Sequence, residues 1–163
     1  MASARDERSN PANLIAGKHI TYFEEPDIIY MRFSGAATTE DSFELLRRQI
    51  AMAEGHKVLF FLIDAEELDN IAPEGRKAVA ETLKEIPLRG MAVIKAPLKA
   101  KVVTKLVITA INLFRKDSKL NPIAFFDTEE EGRSWIASRR AMFSQQGSRN
   151  NFVLNGEEEN GSK

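Results

Sequence analysis

Three charged side chains directly follow runs of apolar residues that are typical of buried strands. Asp64 follows residues 58–63, which are all apolar, and Lys95 and Asp127 follow two shorter runs. Because the carboxyl ends of parallel strands meet at one edge of a sheet, these side chains are expected to share the edge where ligands bind in open α/β proteins. The alternative is that Asp64 and Asp127 cap turns or helices, as acidic residues at such positions commonly do.

The sequence contains few other residues that could act in catalysis. The chain has no cysteine, which excludes disulfides, thiolate catalysis and cysteine-based metal sites. His19 and His56, the only histidines, lack the spacing of metal ligands, and each is expected at the surface. Neither a Gly-rich phosphate loop nor a Gly-x-Ser-x-Gly motif occurs. We therefore expect no catalytic residue, no metal and no cofactor, and predict that the chain is not an enzyme.

A helix start after the Asp64 strand is the second candidate site. Residues 64–72 have the composition of an acidic loop, and Pro73 suits the first turn of a helix that extends to about residue 86. The free backbone N–H groups of that turn could take an anion or the carboxylate of a partner. Glu74 opposes a phosphate because it places like charge at the same point. The predicted partner-binding residues are Asp64, Asn70, Glu74, Gly75 and Arg76.

Residues 95–116 form a basic segment without an acidic side chain and include Arg115 and Lys116. Its apolar positions recur at helical spacing and give a wide apolar face. Such a helix can lie on an anionic membrane or present a surface to a partner, a second copy or an apolar ligand. The alternative is that the face packs on the sheet while the lysines are solvated. The predicted ligand or membrane residues are Lys95, Lys99, Lys101, Val102, Lys105 and Leu106.

The hydrophobic pattern places these candidates on a mixed α/β sheet. Residues 58–63 leave no polar face, which is typical of a strand covered by helices on both sides. Residues 19–24 and 28–33 predict an antiparallel hairpin. The order β-β-α-β-α-β-α-β-α then predicts right-handed parallel crossovers, with about five strands and about four helices. In the first helix, the residues expected to face the core are Phe43, Leu46, Ile50 and Ala53.

Polar residues mark where the loops and helices should begin. Residues 34–39 are expected to form a loop in which Thr38 or Thr39 caps the first helix. Thr128 and Glu131 have the spacing of a capping box and predict the start of the last helix.

Composition and length bound the remaining possibilities. The chain has 163 residues, a net charge of −1 and 43% hydrophobic residues, which is typical of one soluble globular domain. The charge balance gives no signature of nucleic-acid binding. No segment resembles a secretory signal or a bilayer span, so we expect a cytoplasmic protein, either free or peripheral to the membrane. The expected domain covers residues 17–143, between a flexible tail at 1–16 and a polar, disordered tail at 144–163.

The segment that follows Asp64 resembles part of the STAS domain of anti-sigma-factor antagonists, and more closely its SpoIIAA-like, STAS/SEC14-like branch. The resemblance covers residues 18–140. The segments that carry it are Ile28-Ile-Tyr-Met-Arg-Phe-Ser-Gly35, Phe61-Leu-Ile-Asp64, Pro73-Glu-Gly-Arg76, Ala92-Val-Ile94 and Ala124-Phe-Phe-Asp127, together with Trp135. It implies a STAS-like fold and a non-enzymatic, regulatory domain that binds an unidentified protein partner.

One departure from the family pattern concerns its phosphorylation switch. Antagonists of this family carry a phosphorylated serine in an Asp-Ser-Ser-Gly loop, whereas this chain has Ala72-Pro-Glu-Gly75 at the corresponding place. The resemblance therefore implies that the serine switch is absent, with Glu74 as a fixed negative charge in its position. The SEC14-like side of the resemblance implies the alternative function, a carrier or sensor of lipid or another apolar ligand at the membrane surface. The helix at residues 102–114 would then line the ligand pocket.

Overall fold

One mixed sheet of six strands organises the chain. The computed structural model describes residues 14–114 and 122–156. In chain order the strands are β1 (Leu14–Ala16), β2 (His19–Glu24), β3 (Ile28–Ala37), β4 (Leu59–Ile71), β5 (Leu88–Ile94) and β6 (Ile123–Phe126). They keep this order in the sheet, with antiparallel pairing from β1 to β3 and parallel pairing from β3 to β6. The predicted hairpin and parallel crossovers are confirmed.

Helices cover both faces of this sheet. The helices of the described residues are α1 (Thr39–Ala53), α2 (Pro73–Leu83), α3 (Leu98–Phe114) and α4 (Glu129–Gly156). The first three share a buried cluster with Ile29 and Phe61 of the sheet. On the opposite face, Ile136 of α4 packs with Phe60 and Leu62. Neighbouring residues of the central strands therefore point into different helical layers.

The apolar run that predicts a central strand lies at the start of β4. The exposed fraction of every residue from Leu59 to Ile63 lies between 0% and 7%. Burial of such side chains stabilises a fold by about 1.5–3 kcal/mol each. Because helices cover both faces here, a polar side chain in the run would need a buried partner, which explains why the run shows no alternation.

β3 and β4 continue beyond the rest of the sheet as a two-stranded extension. The sequence predicts loops at residues 34–39 and 64–72, and these predictions are largely wrong because β3 continues to Ala37 and β4 to Ile71. The pairs Gly35–Leu68 and Ala37–Ile71 continue the parallel ladder past the last residue that pairs with β5. Leu68 and Ile71 are buried and fix the extension to the core. We call this extension, residues 34–37 and 66–71, the β3–β4 ribbon.

The buried face of α1 differs from the predicted one. Phe43 and Ile50 are 53% and 51% exposed, whereas the buried positions of α1 include Ser42 and Gln49. These polar side chains are tolerated because the Ser42 hydroxyl donates to the carbonyl of Thr38 at 2.9 Å and the Gln49 amide contacts the sulfur of Met31 at 3.2 Å. The prediction is confirmed for Leu46, which is 5% exposed, and is wrong for Phe43 and Ile50 because it used hydrophobicity alone.

Capping boxes begin two of the helices as predicted. Thr38 caps α1, and its hydroxyl accepts the backbone N–H of Asp41 at 3.0 Å. Thr128 and Glu131 make the equivalent exchange before α4, at 3.2 and 3.3 Å. Both boxes satisfy N–H groups that have no partner inside the helix.

The two predicted tails are partly described. β1 lies within the segment expected to be a flexible tail, and it accounts for the sixth strand. α4 extends past residue 143 to Gly156, into the segment expected to be disordered. Residues 1–13 and 157–163 lie outside the described residues, and the domain limits 17–143 stay a prediction.

Candidate functional site

The buried carboxylate of Asp64 is the centre of a polar pocket at the carboxyl edge of the sheet. Asp64 is 2% exposed, and its Oδ1 accepts the backbone N–H of Glu66 at 3.1 Å. Its Oδ2 lies 3.4 Å from Nε of Arg32 and 3.6 Å from Nζ of Lys95. A buried carboxylate needs such compensation, because transfer of an isolated charge out of water costs several kcal/mol.

The parallel register brings these three residues together. Arg32 pairs with Asp64 across β3 and β4, and Asp64 pairs with Ile94, the last residue of β5. Lys95 follows directly and has a backbone φ of 57°, a left-handed conformation that costs a residue other than glycine about 1–2 kcal/mol. Its N–H donates to the carbonyl of Phe126 at 2.9 Å, which holds this conformation in place.

The pocket has a volume of about 230 Å³. Its walls come from three strands, β2, β3 and β4, and from the turn after β5, and its lining residues are Ile20, Arg32, Phe33, Ser34, Asp64, Glu66, Glu67 and Lys95. Of its acidic residues, Glu66 and Glu67 are exposed, whereas Asp64 is buried. The pocket therefore combines a buried, ion-paired carboxylate with two exposed glutamates.

Tyr30 lies beside the Arg32 side chain and is also buried. The Arg32 guanidinium lies 5.9 Å from the centre of the Tyr30 ring, and the Tyr22 ring stacks on Tyr30 with a 4.8 Å separation of centres. Burial raises the pKa of the Tyr30 hydroxyl well above its ordinary value, although nearby Arg32 opposes the shift.

Asp127 does not join the pocket. It is exposed in a separate open depression beside Glu130, Glu131 and Ser134. Among residues 14–114 and 122–156, no group of three or more acidic, histidine or cysteine side chains is arranged to hold a metal ion. Of the three charged residues that follow strands, the structure brings Asp64 and Lys95 together, whereas Asp127 lies apart from them.

His19 is buried, and the expectation of a surface position is wrong. It is 1% exposed, and its Nδ1 accepts the backbone N–H of Ser34 at 3.1 Å. Its Nε2 lies 3.4 Å from Oδ2 of Asp41 in the α1 capping box. Burial raises the pKa of Asp41, but the hydrogen bonds to Thr38 and the interaction with His19 outweigh it and lower the pKa below its ordinary value. His19 therefore links the β3–β4 ribbon to the start of α1.

The predicted partner-binding residues around the start of α2 differ in exposure. Asn70 and Glu74 are exposed, Arg76 is half-buried and Gly75 is buried. A Cβ atom at Gly75 would lie 2.3 Å from the Ser42 hydroxyl oxygen, so glycine is needed for close contact between α2 and α1. The α2 N-cap, Ala72, has no capping side chain, which leaves first-turn N–H groups without a side-chain acceptor.

One face of α3 is buried and another is exposed. Val103 and Val107 are buried against the sheet, as the packing alternative expects. A second row, called here the α3 stripe, remains 50% to 78% exposed and consists of Leu98, Val102 and Leu106. Lys99 donates to Asp69, Lys101 is half-buried and Lys105 is exposed. The predicted basic residues Arg115 and Lys116 lie outside the described residues.

A small apolar cavity lies between the sheet and α1, α2 and α3. Its volume is about 60 Å³, and its walls include Phe61 of β4, Leu46 of α1, Leu83 of α2 and Val107 of α3. An apolar cavity of about 150 Å³ holds one benzene molecule. This cavity would therefore have to expand, by movement of a helix, before it could take an acyl chain.

Sequence reasoning missed the contribution of Arg32 and Ser34 to the polar pocket. Arg32 stands in the otherwise apolar run at residues 28–33, and a charge within a buried strand requires a buried partner. The charged residue within this apolar run could have indicated a buried ion pair, with Asp64 in the neighbouring strand as its partner.

The fold has a known counterpart. No protein-family model matches the chain, and no curated protein sequence is similar to it. An uncharacterized protein of the DUF3478 family from Shewanella loihica PV-4, whose crystal structure has a SpoIIAA-like fold, is similar with a TM-score of 0.51 and 19% identity. The match covers 71% of this chain and 89% of that protein. The chain therefore forms an α/β domain with a SpoIIAA-like fold, as its resemblance to STAS domains predicts.

Among the helices of residues 14–114 and 122–156, none is both long and apolar enough to cross a bilayer.

Proposed function

We propose that the chain is a non-enzymatic, regulatory STAS-type domain that binds a protein partner through an exposed edge of the sheet. This edge, called here the acidic rim, consists of the exposed residues Glu66, Glu67, Asp69, Asn70 and Glu74. The observation that carries the proposal is that these side chains are held on the β3–β4 ribbon and the first turn of α2, both fixed to the core. A rigid surface requires little ordering when a partner binds, so more of the contact energy contributes to affinity.

The charge of the rim indicates the chemistry of the partner. Every rim residue except Asn70 is a carboxylate, and among them Asp69 is paired with Lys99. Complementary charge steers association and selects against partners of like charge. The expected partner therefore presents lysine or arginine side chains to the rim.

The proposed interaction has no serine switch. Ala72-Pro-Glu-Gly75 contains no hydroxyl group, and Glu74 is exposed in the first turn of α2. A glutamate carries its charge permanently, whereas a serine acquires charge only on phosphorylation. Binding through this surface is accordingly expected to be independent of a serine kinase.

Affinity capture with a rim variant tests the proposal. The double variant Asn70→Lys/Glu74→Lys replaces one carboxylate by two lysines and so greatly reduces the negative charge of the rim, outside the polar pocket and without altering the Gly75 contact. Its matched control is Glu81→Lys, an exposed acid near the other end of the same helix. Tagged protein is used to capture partners from the cells that express it, and mass spectrometry quantifies them. Recovery of the partner should fall about tenfold with the double variant and stay unchanged with the control. Equal recovery with both variants would refute the proposal.

A carrier or sensor of an apolar ligand at the membrane surface is the second candidate function. It is supported by the apolar cavity beneath α3 and by the exposed α3 stripe with Lys99 and Lys105 beside it. Apolar side chains next to lysines are the combination that binds anionic bilayers. Because the cavity is small, α3 would have to move before an apolar ligand could enter. Contact between the α3 stripe and a membrane could promote this movement.

Two measurements separate this candidate from the first. Native mass spectrometry would reveal a co-purified apolar ligand, and flotation would report binding to phosphatidylglycerol vesicles that weakens with salt. Leu106→Gln should reduce flotation, whereas Met142→Gln, which alters an exposed apolar residue on α4, should not. Absence of both a ligand and salt-sensitive flotation would exclude the candidate.

A further inference from the structure

We infer that the outer edge of β6 binds an extended protein segment, which pairs with β6 as an additional strand and places a lysine or arginine beside Asp127 and Glu130. β6 is the last strand of the sheet, and β5 is the strand that pairs with it. Within the described residues, no strand pairs with the opposite side of β6. The acidic rim belongs to β4 and α2, so this inference does not depend on the partner proposed for it.

The backbone of β6 directs two residues toward the free edge. The N–H of Lys95 donates to the carbonyl of Phe126 at 2.9 Å, so Phe126 directs its backbone groups toward β5. Because this direction alternates along a strand, Ala124 also faces β5, whereas Ile123 and Phe125 point their N–H and C=O groups toward the free edge. An added strand would bond to these groups, and main-chain bonds of this kind supply the affinity in β-augmentation.

The edge of β6 lacks several features that commonly prevent strand addition. Charged side chains, proline and bulges protect the edge strands of natural proteins. The strand Ile123-Ala-Phe-Phe126 contains no charge and no proline, and its pairing with β5 shows no register shift. All four residues are half-buried, so the strand lies near the surface. Its sequence and position therefore allow pairing with another chain.

The charge beside β6 indicates which side chain the added segment carries. The depression at the carboxyl end of β6 has a volume of about 570 Å³, and its lining residues are Phe125, Phe126, Asp127, Glu130, Glu131 and Ser134. Its charged lining residues are all acidic, and none of them forms an ion pair with a residue of the described ranges 14–114 and 122–156. Lysine and arginine combine an apolar stem with a cationic end, which suits a depression formed by aromatic and acidic residues. Glu131 already accepts the backbone N–H of Thr128, so Asp127 and Glu130 are the carboxylates assigned to the cation.

Amide hydrogen exchange of the purified full chain, measured by NMR, is the first test. The N–H groups of Ala124 and Phe126 should exchange slowly because they face β5, whereas those of Ile123 and Phe125 should exchange rapidly. Slow exchange at Ile123 and Phe125 would show that another part of the chain, or a second copy, already pairs with this edge. That result would overturn the inference.

NMR titration with synthetic peptides then tests binding. The probe is a seven-residue peptide of alternating threonine and valine with a lysine at each end. One control peptide has glutamate in place of both lysines, and the other has a methyl group on each central backbone nitrogen. At millimolar concentrations, the lysine peptide should cause saturable shifts at Ile123 and Phe125. Each control peptide should bind about tenfold more weakly, since it lacks either the charged contact or the strand hydrogen bonds.

Paired variants identify the charged contact. The double variant Asp127→Asn/Glu130→Gln should weaken binding of the lysine peptide about tenfold and remove its advantage over the glutamate peptide. Glu81→Gln, which neutralises an exposed acid on α2, should leave both unchanged. The spectrum of each variant verifies folding in the same experiment. The inference is overturned if the lysine peptide causes no saturable shifts at β6, if either control peptide binds as well, or if the double variant binds like the wild type.

Discussion

Substitution of Gly75 by alanine is the clearest test of how α2 is held. The new Cβ would lie 2.3 Å from the hydroxyl oxygen and 2.8 Å from the Cβ of Ser42, which is 3% exposed and bonded to Thr38. Overpacking of a filled site costs about 1–3 kcal/mol. The gain in helix propensity from glycine to alanine returns at most about 1 kcal/mol.

The expected net loss is therefore up to about 2 kcal/mol, which corresponds to a fall in Tm of up to about 8 °C for a chain of this size. Urea unfolding measures the free energy, and a double-mutant cycle with Ser42→Gly supplies the control. With the Ser42 side chain removed, Gly75→Ala should be neutral or stabilising, since its clash no longer exists. Equal destabilisation in both backgrounds would refute the assigned contact.

Three further predictions concern buried or strained positions. The pKa of Asp41 is below its ordinary value of 3.8, so the stability that this carboxylate contributes is present above pH 3.8 and is lost as the pH falls through the folded value. Asp41→Asn should therefore reduce the loss of unfolding free energy at acid pH, measured by urea unfolding over a series of pH values. An unchanged loss at acid pH would contradict this. His19→Gln should cost about 1–3 kcal/mol by disturbing the bond to the Ser34 N–H, whereas His56→Gln should cost less than about 1 kcal/mol in the same assay. Lys95→Gly should be more stable than Lys95→Ala by about 1 kcal/mol in urea unfolding, since both variants remove the ammonium beside Asp64 and only glycine releases the left-handed strain; equal stability of the two variants would contradict the strained turn.

The parts of the fold that could be predicted are those set by local patterns. Residues 58–63 identify a doubly covered strand, because only apolar side chains can occupy both faces without partners. Thr38 and Thr128 identify helix starts, since their hydroxyls satisfy nearby backbone N–H groups. β2 and β6 have their predicted bounds, His19–Glu24 and Ile123–Phe126.

The parts that could not be predicted depend on contacts between distant residues. The sequence did not predict the strands of the β3–β4 ribbon because exposed charged residues interrupt its apolar pattern. Only the buried residues Leu68 and Ile71 fix the ribbon to the core. His19 is buried through hydrogen bonding to Ser34, a partner that no local pattern indicates. Arg32 joins the candidate site through the parallel register alone, so only its unusual place in an apolar strand could have drawn attention to it.

Hydrogen–deuterium exchange of the captured partner complex tests the central proposal most directly. Because amides covered by a partner exchange more slowly, the experiment maps the contact surface without any substitution. Binding through the acidic rim predicts that protection on complex formation is concentrated in residues 66–76 and is weak in α4. Protection confined to the α3 stripe, with residues 66–76 unchanged, would contradict the proposal.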